Sequence, residues 1–230
     1  MKVAVFDVDR TLVDGMCGYY YYLAVKPHIS FARRLEASMK LLGYRWGLVD
    51  EREIVRLGVV LYAGMKVEFL RAKGRESFES MIKDRLLVEG LERIKKHKEL
   101  GHAVFLASGS NEYVVAPVAE FVGADGFFAT GAVVENGVCT RRVRLPLCFE
   151  EGELELIERK LKELGVGWDD CWVYSDNMSD LVIFERCGHP VVVNPREKLE
   201  RIAIERGWTI ERWKTLYGSG LATGSSFPLK

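Results

Sequence analysis

The sequence lacks the features that would place it across a membrane, on nucleic acid or in an oxidising compartment. No run approaches the ~20 consecutive apolar residues that span a bilayer. The first apolar stretch, Val3-Ala4-Val5-Phe6, meets a charge at Asp7 and is too short for the core of a secretory signal. Neither sign of charge is in excess: 33 basic side chains face 33 acidic ones, which removes the electrostatic case for nucleic acid. The five cysteines, Cys17, Cys139, Cys148, Cys171 and Cys187, are scattered, odd in number and never form a C-x-x-C pair. Zinc and a disulfide framework are both disfavoured, and Cys171, inside an apolar run, reads as a buried thiol. The four histidines, His28, His97, His102 and His189, have no metal-ligand spacing. No internal repeat is present. The expectation is a cytoplasmic protein with no nucleic-acid partner and no integral membrane segment; oligomeric state is not legible.

What the chain does contain is alternation. Short apolar strands are predicted at 3–6, 103–107, 126–129, 171–174 and 190–193. Helical patterns lie between most of them: Leu91, Ile94 and Leu100 before Gly101; Val114, Val118 and Phe121 between Ser110-Asn111 and Gly123; Leu154, Ile157, Leu161 and Leu164 before Gly165. A last helix with Leu199 and Ile202 is opened by Asn194-Pro195 and ended by Gly207. A cap in front, a glycine behind and a 3.6 period between mark genuine helices. Strands alternating with helices predict the α/β class, a Rossmann-like, doubly wound parallel sheet covered on both faces.

Two segments break the alternation. Residues 15–88 hold no convincing buried strand and read as helical. Phe31, Leu35, Met39 and Leu42 share one helix face, with Arg33, Arg34 and Lys40 off it. Those basic positions, with Arg45, read as a solvated face, and attraction to an anionic substrate or a lipid surface is the weaker alternative. Residues 132–144 carry Asn136-Gly137 between apolar alternations, the strongest short hairpin signal. The expected organisation is a core from 1–14 and 89–217, an inserted helical cap at 15–88, and a poorly ordered Gly/Ser/Ala/Thr-rich tail at 218–230. Among Tyr19, Tyr20, Tyr21 and Tyr22, some should pack internally and others lie at the seam between cap and core.

The chemistry sits at strand ends. The first strand runs into Asp7-Val8-Asp9-Arg10-Thr11, and burying unpaired carboxylates costs several kcal/mol or shifts their pKa until the charge is lost. Alternation puts Asp7 and Asp9 on one side, at the edge where open α/β sheets bind ligands. The second strand stops at Ser108-Gly109-Ser110-Asn111, an arrangement that is either an anion cradle or an ordinary N-cap. The strand at 171–174 ends at Ser175-Asp176, with Asp180 opening the next helix. Four carboxylates converging without a cation would repel and titrate upward; with Mg2+ they form an oxygen-ligand site suited to a phosphorylated substrate.

As a set these motifs resemble the haloacid dehalogenase superfamily, and the stretch 175–208 resembles its phosphoserine-phosphatase-like branch, with a small helical cap after the first motif. The resemblance implies a Mg2+-dependent phosphatase acting on a small phosphorylated metabolite through an aspartyl-phosphate. It makes Asp7 the nucleophile and Asp9 the general acid and base. Ser108 and Gly109 bind the phosphoryl group, and the metal set is Asp7, Asp9 (through its backbone carbonyl), Asp176 and Asp180. Two positions depart from that pattern. Glu153 stands where family members carry a phosphate-binding lysine, and Lys160, Arg141, Arg142 and Arg144 are the alternative cations. Met16 stands where phosphoserine phosphatases hold the substrate's ammonium with a glutamate, which disfavours phosphoserine. Glu153 also motivates an alternative reading, a Mg2+/phosphate-binding module with weak or no turnover. A phosphotransferase is a third.

Overall fold

The structure, a computed structural model, describes residues 1–219. Its strands are β1 (Val3–Asp7), β2 (Ala103–Asn111), β3 (Gly126–Thr130), β4 (Ala132–Glu135), β5 (Val138–Val143), β6 (Cys171–Ser175), β7 (His189–Val193) and β8 (Thr209–Glu211). Its helices are α1 (Cys17–Val25), α2 (Phe31–Arg45), α3 (Glu51–Val60), α4 (Val67–Ser77), α5 (Val88–Glu99), α6 (Glu112–Val122), α7 (Glu151–Leu164), α8 (Leu181–Phe184) and α9 (Glu197–Arg206).

Six strands form one sheet in the order β3-β2-β1-β6-β7-β8, and every neighbouring pair is parallel. Parallel strands are buried on both faces, and β1 shows it. Ala4 and Phe6 join one core cluster with Leu91, Ile94, Val114 and Val118. Val3 and Val5 join the other with Ile157, Leu161, Ile183 and Leu199. Phe6 stacks on Tyr174 with ring centroids 4.3 Å apart. The strand order reverses at β1, with β2 on one side and β6 on the other, so the crevice of an open sheet opens there. Gly123, Gly165 and Gly207 close α6, α7 and α9 in the left-handed conformation.

The hairpin forms as expected: β4 and β5 pair antiparallel, and Asn136 and Gly137 turn with φ of 49° and 74°, the two positive φ values a tight primed turn needs. The hairpin also holds the helical segment. Gly64 N–H donates to the Cys139 carbonyl at 2.7 Å, Cys139 N–H to Met65 at 3.0 Å, and Val67 N–H to Gly137 at 2.9 Å. At the other end, Leu87 N–H donates to Leu12 and Asp14 N–H to Arg85, both at 2.8 Å.

Several details differ from the sequence-based expectation. β2 runs on through Ser108 to Asn111, and β8 adds a sixth strand that no apolar run announced. The last helix starts at Glu197 rather than at Asn194-Pro195. Asn194 instead bonds Trp213 through both ends of its side-chain amide, each at 2.9 Å. The largest difference is the direction of α2. Its buried residue is Ala37, and Phe31, Leu35, Met39 and Leu42 are exposed. Arg33, Arg34 and Lys40 are half-buried instead, because Arg33 donates to the Ala63 carbonyl and Lys40 pairs with Glu53 at 3.7 Å.

The tyrosines divide: Tyr21 is buried with its hydroxyl on the Leu70 carbonyl at 3.2 Å, and Tyr19 is exposed. His97 is buried between His102 and the Tyr174 hydroxyl, each 2.9 Å away, and burial pushes it down to about 4. Gly218 and Ser219 belong to a short 3-10 turn; the rest of the expected tail, 220–230, lies outside the described residues. No helix among the described residues is long and apolar enough to cross a membrane.

The helical segment meets the rest of the chain most closely where α4 crosses α6. A Cβ on Gly74 would sit 1.8 Å from the Tyr113 carbonyl oxygen, whereas one on Gly58 would meet nothing within 4 Å. Gly74→Ala should therefore destabilise the fold by about 2 kcal/mol or more. Gly58→Ala, at a half-buried position of α3 with open space for the added methyl, should stabilise it by up to about 1 kcal/mol. Urea denaturation midpoints measure both; equal midpoints would contradict the close α4–α6 crossing.

Candidate active site

Register brings the motif residues level. Asp7 lies opposite Ala107 on β2, and Phe6 lies opposite Tyr174 on β6. Ser108 therefore stands one residue beyond Asp7 on one side, and Ser175-Asp176 follow on the other. The chain then folds back on itself: Leu12 and Val13 donate to the Val8 carbonyl at 3.1 and 2.9 Å. Arg10 takes a left-handed φ of 65° in this turn, and its N–H reaches the Gly15 carbonyl at 3.0 Å.

That turn places Thr11 fully inside. Its hydroxyl donates to Asp7 Oδ2 at 2.7 Å and accepts from the Asp176 N–H at 3.0 Å. One buried hydroxyl thus joins the loops after β1 and β6. Asp9 accepts from the Cys17 N–H, from Ser108 Oγ at 2.9 Å and from Ser110 Oγ at 2.6 Å. Asp180 accepts from Ser175 Oγ and, at 3.1 Å, from Ser179 Oγ. Arg10 Nε stands 3.2 Å from Asp176 Oδ2, close enough for ion pairing but not aligned for a hydrogen bond. The other oxygen, Asp176 Oδ1, is buried with no hydrogen-bond partner. Gly109 lies beside the Cys148 carbonyl and Val55, each 3.5 Å from where a Cβ would stand.

Asp7, Asp9, Ser108, Gly109, Asp176 and Asp180 are therefore gathered at one sheet edge. Sequence reasoning reaches Ser108 but not the other side chains that serve these carboxylates. Ser110 was an N-cap candidate, but Asn111 alone caps α6, accepting from Tyr113 N–H at 3.0 Å, and Ser110 bonds Asp9. The available signal was alternation, since Ser108 and Ser110 share a strand face. Ser175 and Arg10 were likewise adjacent to motif aspartates and were given no role.

Burial dominates the electrostatics. Asp7 is raised well above the ordinary carboxylate range, first by desolvation and then by Asp180, Asp176 and Asp9, with Thr11 opposing. Burial raises Asp176 to about 6 against the pull of Arg10. Burial also raises Asp180 to about 6 against its two serine donors. Glu153, in the first turn of α7, is buried and raised well above its usual range, by desolvation and then by Asp180. That shift favours the protonated form, which lessens the charge Glu153 adds to the cluster.

The alternative cations are engaged elsewhere. Lys160 pairs with Glu163, Arg142 with Glu135, Arg141 with Glu36 at 3.4 Å and Arg144 with Glu112 at 2.9 Å. Among the described residues no lysine or arginine reaches salt-bridge distance of Asp7, and Arg10 is the cation paired with a motif carboxylate. The donor set is one of hard oxygens, crowded and mutually repelling, with the orphaned Asp176 Oδ1 among them. That chemistry fits Mg2+. Among the described residues no three potential ligand side chains already converge on one point; serine hydroxyls hold Asp9 and Asp180, and Arg10 faces Asp176.

These shifts give a signed pH dependence. Asp180 and Asp176 bind their protons more tightly folded than unfolded, so their contribution favours the metal-free fold fully below about pH 4 and is lost as pH rises through about 6. Asp180→Asn should stabilise the metal-free protein at about pH 8, by at most about 3 kcal/mol, and change little at about pH 4. Urea titrations in excess chelator at the two pH values test this; equal effects at both would refute it.

A family model described as haloacid dehalogenase-like hydrolase matches residues 4–185. A Mycobacterium tuberculosis protein (strain H37Rv) named "Probable phosphatase" is 33% identical over 212 residues, covering 90% of this chain and 74% of that one. The phosphoserine phosphatase SerB1 of the same organism is 27% identical over 218 residues, covering 92% of this chain and 70% of its own. A solved structure of a protein of unknown function from Bordetella pertussis superposes with a TM-score of 0.82 at 26% identity, covering 91% of this chain and 97% of that chain. With the matched segment running from the first strand through α8, and the aspartates of β1 and β6 inside it, this chain belongs to the haloacid dehalogenase-like hydrolases.

Proposed function

We propose that the protein is a Mg2+-dependent phosphatase that hydrolyses a small phosphomonoester through an aspartyl-phosphate on Asp7. The observation that carries the reading is the meeting of Asp7, Asp9, Asp176 and Asp180 with Ser108 and Ser110 at one sheet edge. The phosphatase name of the relative at 33% identity supports it. Met16, exposed at the start of α1, offers no carboxylate for a substrate ammonium, so the substrate is a phosphomonoester other than phosphoserine. The proposed compartment is the cytoplasm, in keeping with five free, buried thiols.

In this reading Asp7 attacks phosphorus, and the bond from phosphorus to the leaving oxygen breaks. Asp9 gives its proton to that oxygen and then takes one from the water that hydrolyses the phosphoryl-aspartate. The Ser110 hydroxyl fixes the Asp9 carboxyl, and the Ser108 hydroxyl does so until substrate enters and accepts its hydrogen bond. Ser108 and the Gly109 backbone hold the phosphoryl oxygens as substrate enters. Asp7, Asp176, Asp180 and the Asp9 carbonyl would hold Mg2+, which neutralises charge among the carboxylates and on the phosphoryl group. Residues 15–88 act as the cap that limits water during the first step. Arg52, which bridges from α3 to Glu150 at 2.7 Å and Glu151 at 3.1 Å, and Asn111, which donates to the Gly58 carbonyl at 3.3 Å, tie that cap to the rim.

Arg10 takes the part of the absent lysine. It projects from the first motif itself, is only partly exposed, and already faces Asp176. A guanidinium offers several donors to phosphoryl oxygens from a flexible stem. Glu153, whose burial favours the protonated form, then stands in the lysine's place with its repulsion of phosphate lessened.

Turnover of an aryl phosphate with and without Mg2+ is the direct test. Asp7→Asn should abolish it while leaving the fold intact; retention of more than about a tenth of wild-type activity, under ~1.4 kcal/mol of barrier, would overturn the nucleophile assignment. Excess chelator should remove activity, and Asp176→Ala should weaken the Mg2+ response more than Asp180→Ala. Arg10→Ala should lower kcat/KM about 10–100-fold, the range of one charge-assisted contact, with Arg10→Lys partly restoring it. No turnover on any phosphomonoester, with phosphate still bound, would favour the binding-module reading that Glu153 motivates.

A further inference from the structure

We propose that α2 docks the protein onto an anionic lipid surface. The helix is amphipathic in the usual sense, but it is mounted backwards. At 3.6 residues per turn, Phe31, Leu35, Met39, Leu42 and Trp46 fall along one stripe. That stripe is the outward one: Phe31 is 73% exposed, Met39 65%, Trp46 74%, and Leu48 just beyond it 83%. The inward side is made of Ala37, Gly43 and the half-buried Arg33, Glu36 and Lys40. A soluble helix that packs through its small and polar side and leaves two aromatic and several aliphatic side chains in water has an unpartnered face.

Charge selects the partner. Residues 26–46 carry Lys26, Arg33, Arg34, Lys40 and Arg45 against one acid, Glu36, in a chain with no net charge. Glu36 is paired with Arg141, and Lys40 with Glu53. Among the described residues, Lys26, Arg33, Arg34 and Arg45 have no acidic side chain in salt-bridge reach. Arg45, exposed, and Arg34, half-buried, lie on the same edge of the apolar stripe. Apolar and aromatic side chains on one face with arginines along its edge are what an interfacial helix needs. A second copy of this chain would bring like charge against like charge, and residues 220–230 contain no acid to meet these cations. Anionic headgroups supply the missing counter-charge, and the acyl boundary supplies cover for the stripe. The active-site edge is not involved: α3 lies between α2 and β2, with Val55 facing Gly109.

The test is co-sedimentation of the full-length protein with vesicles of phosphatidylcholine alone or mixed with phosphatidylglycerol. Wild type should bind the mixed vesicles at least about tenfold more strongly than the neutral ones, and lose the difference as salt rises. Leu35→Ser/Met39→Ser should weaken binding at least about tenfold, and so should Arg34→Gln/Arg45→Gln. Leu35, Met39 and Arg45 are exposed and Arg34 is half-buried, and an unchanged thermal transition certifies the fold of each pair. Should one pair not fold, the other decides. No binding to anionic vesicles, or equal binding by wild type and a folded variant, overturns the proposal. So does a concentration-dependent dimer that the same substitutions dissociate while vesicles recover no protein.

Discussion

The placement of several carboxylates where water is scarce is the constraint around which this structure is arranged. Asp7 cannot leave the edge of the sheet without leaving β1, and β1 is the strand against which β2 and β6 both pair. The local architecture therefore compensates. Thr11 is folded inward to serve Asp7 and Asp176 with one hydroxyl. Ser108 and Ser110 turn toward Asp9, Ser175 and Ser179 toward Asp180, and Arg10 is bent into a left-handed conformation beside Asp176. Each donor reduces the cost of one charge, and none removes the repulsion among them, as the raised Asp7 records. Edges of this kind are stable enough to fold yet unsatisfied enough to prefer an added cation.

The rest of the chain holds that edge in a frame. The helical segment between β1 and β2 is fastened at two ends, by the Leu12–Leu87 and Asp14–Arg85 contacts near the site and by the hairpin at Gly64 and Val67. Gly74 lets α4 lie directly on the α6 backbone. The stretch between these fastenings carries α3, whose Val55 faces Gly109. α2 lies in the same stretch.

Much of this was legible in the sequence, for identifiable reasons. Apart from β8, the strands of the central sheet contain apolar runs because both faces are covered, and three of the helices end at glycines that adopt the left-handed conformation. Asn136-Gly137 announced the hairpin. The site aspartates were legible because charge at the end of a buried strand has few structural explanations. What stayed hidden depended on partners distant in sequence. Periodicity identified α2 but not which side faces inward, since Arg33 finds a carbonyl at Ala63 and Lys40 an acid at Glu53 only once the chain is folded. Asn194 looked like a cap because its tie to Trp213 lies across a turn of the fold. Arg10 was invisible as a site cation because only the positive φ directs it at Asp176.

The strand order also bears on how the protein is made. β1 leaves the ribosome well before its neighbours, which begin at Ala103 and Cys171. At ~5–20 residues per second, synthesis leaves Val3-Ala4-Val5-Phe6 without its first partner strand for on the order of ten seconds. The centre of the sheet is thus a nascent apolar segment with open edges. Helices α1–α5, which can form from local contacts during that interval, are the part of the chain available to shelter it until β2 arrives.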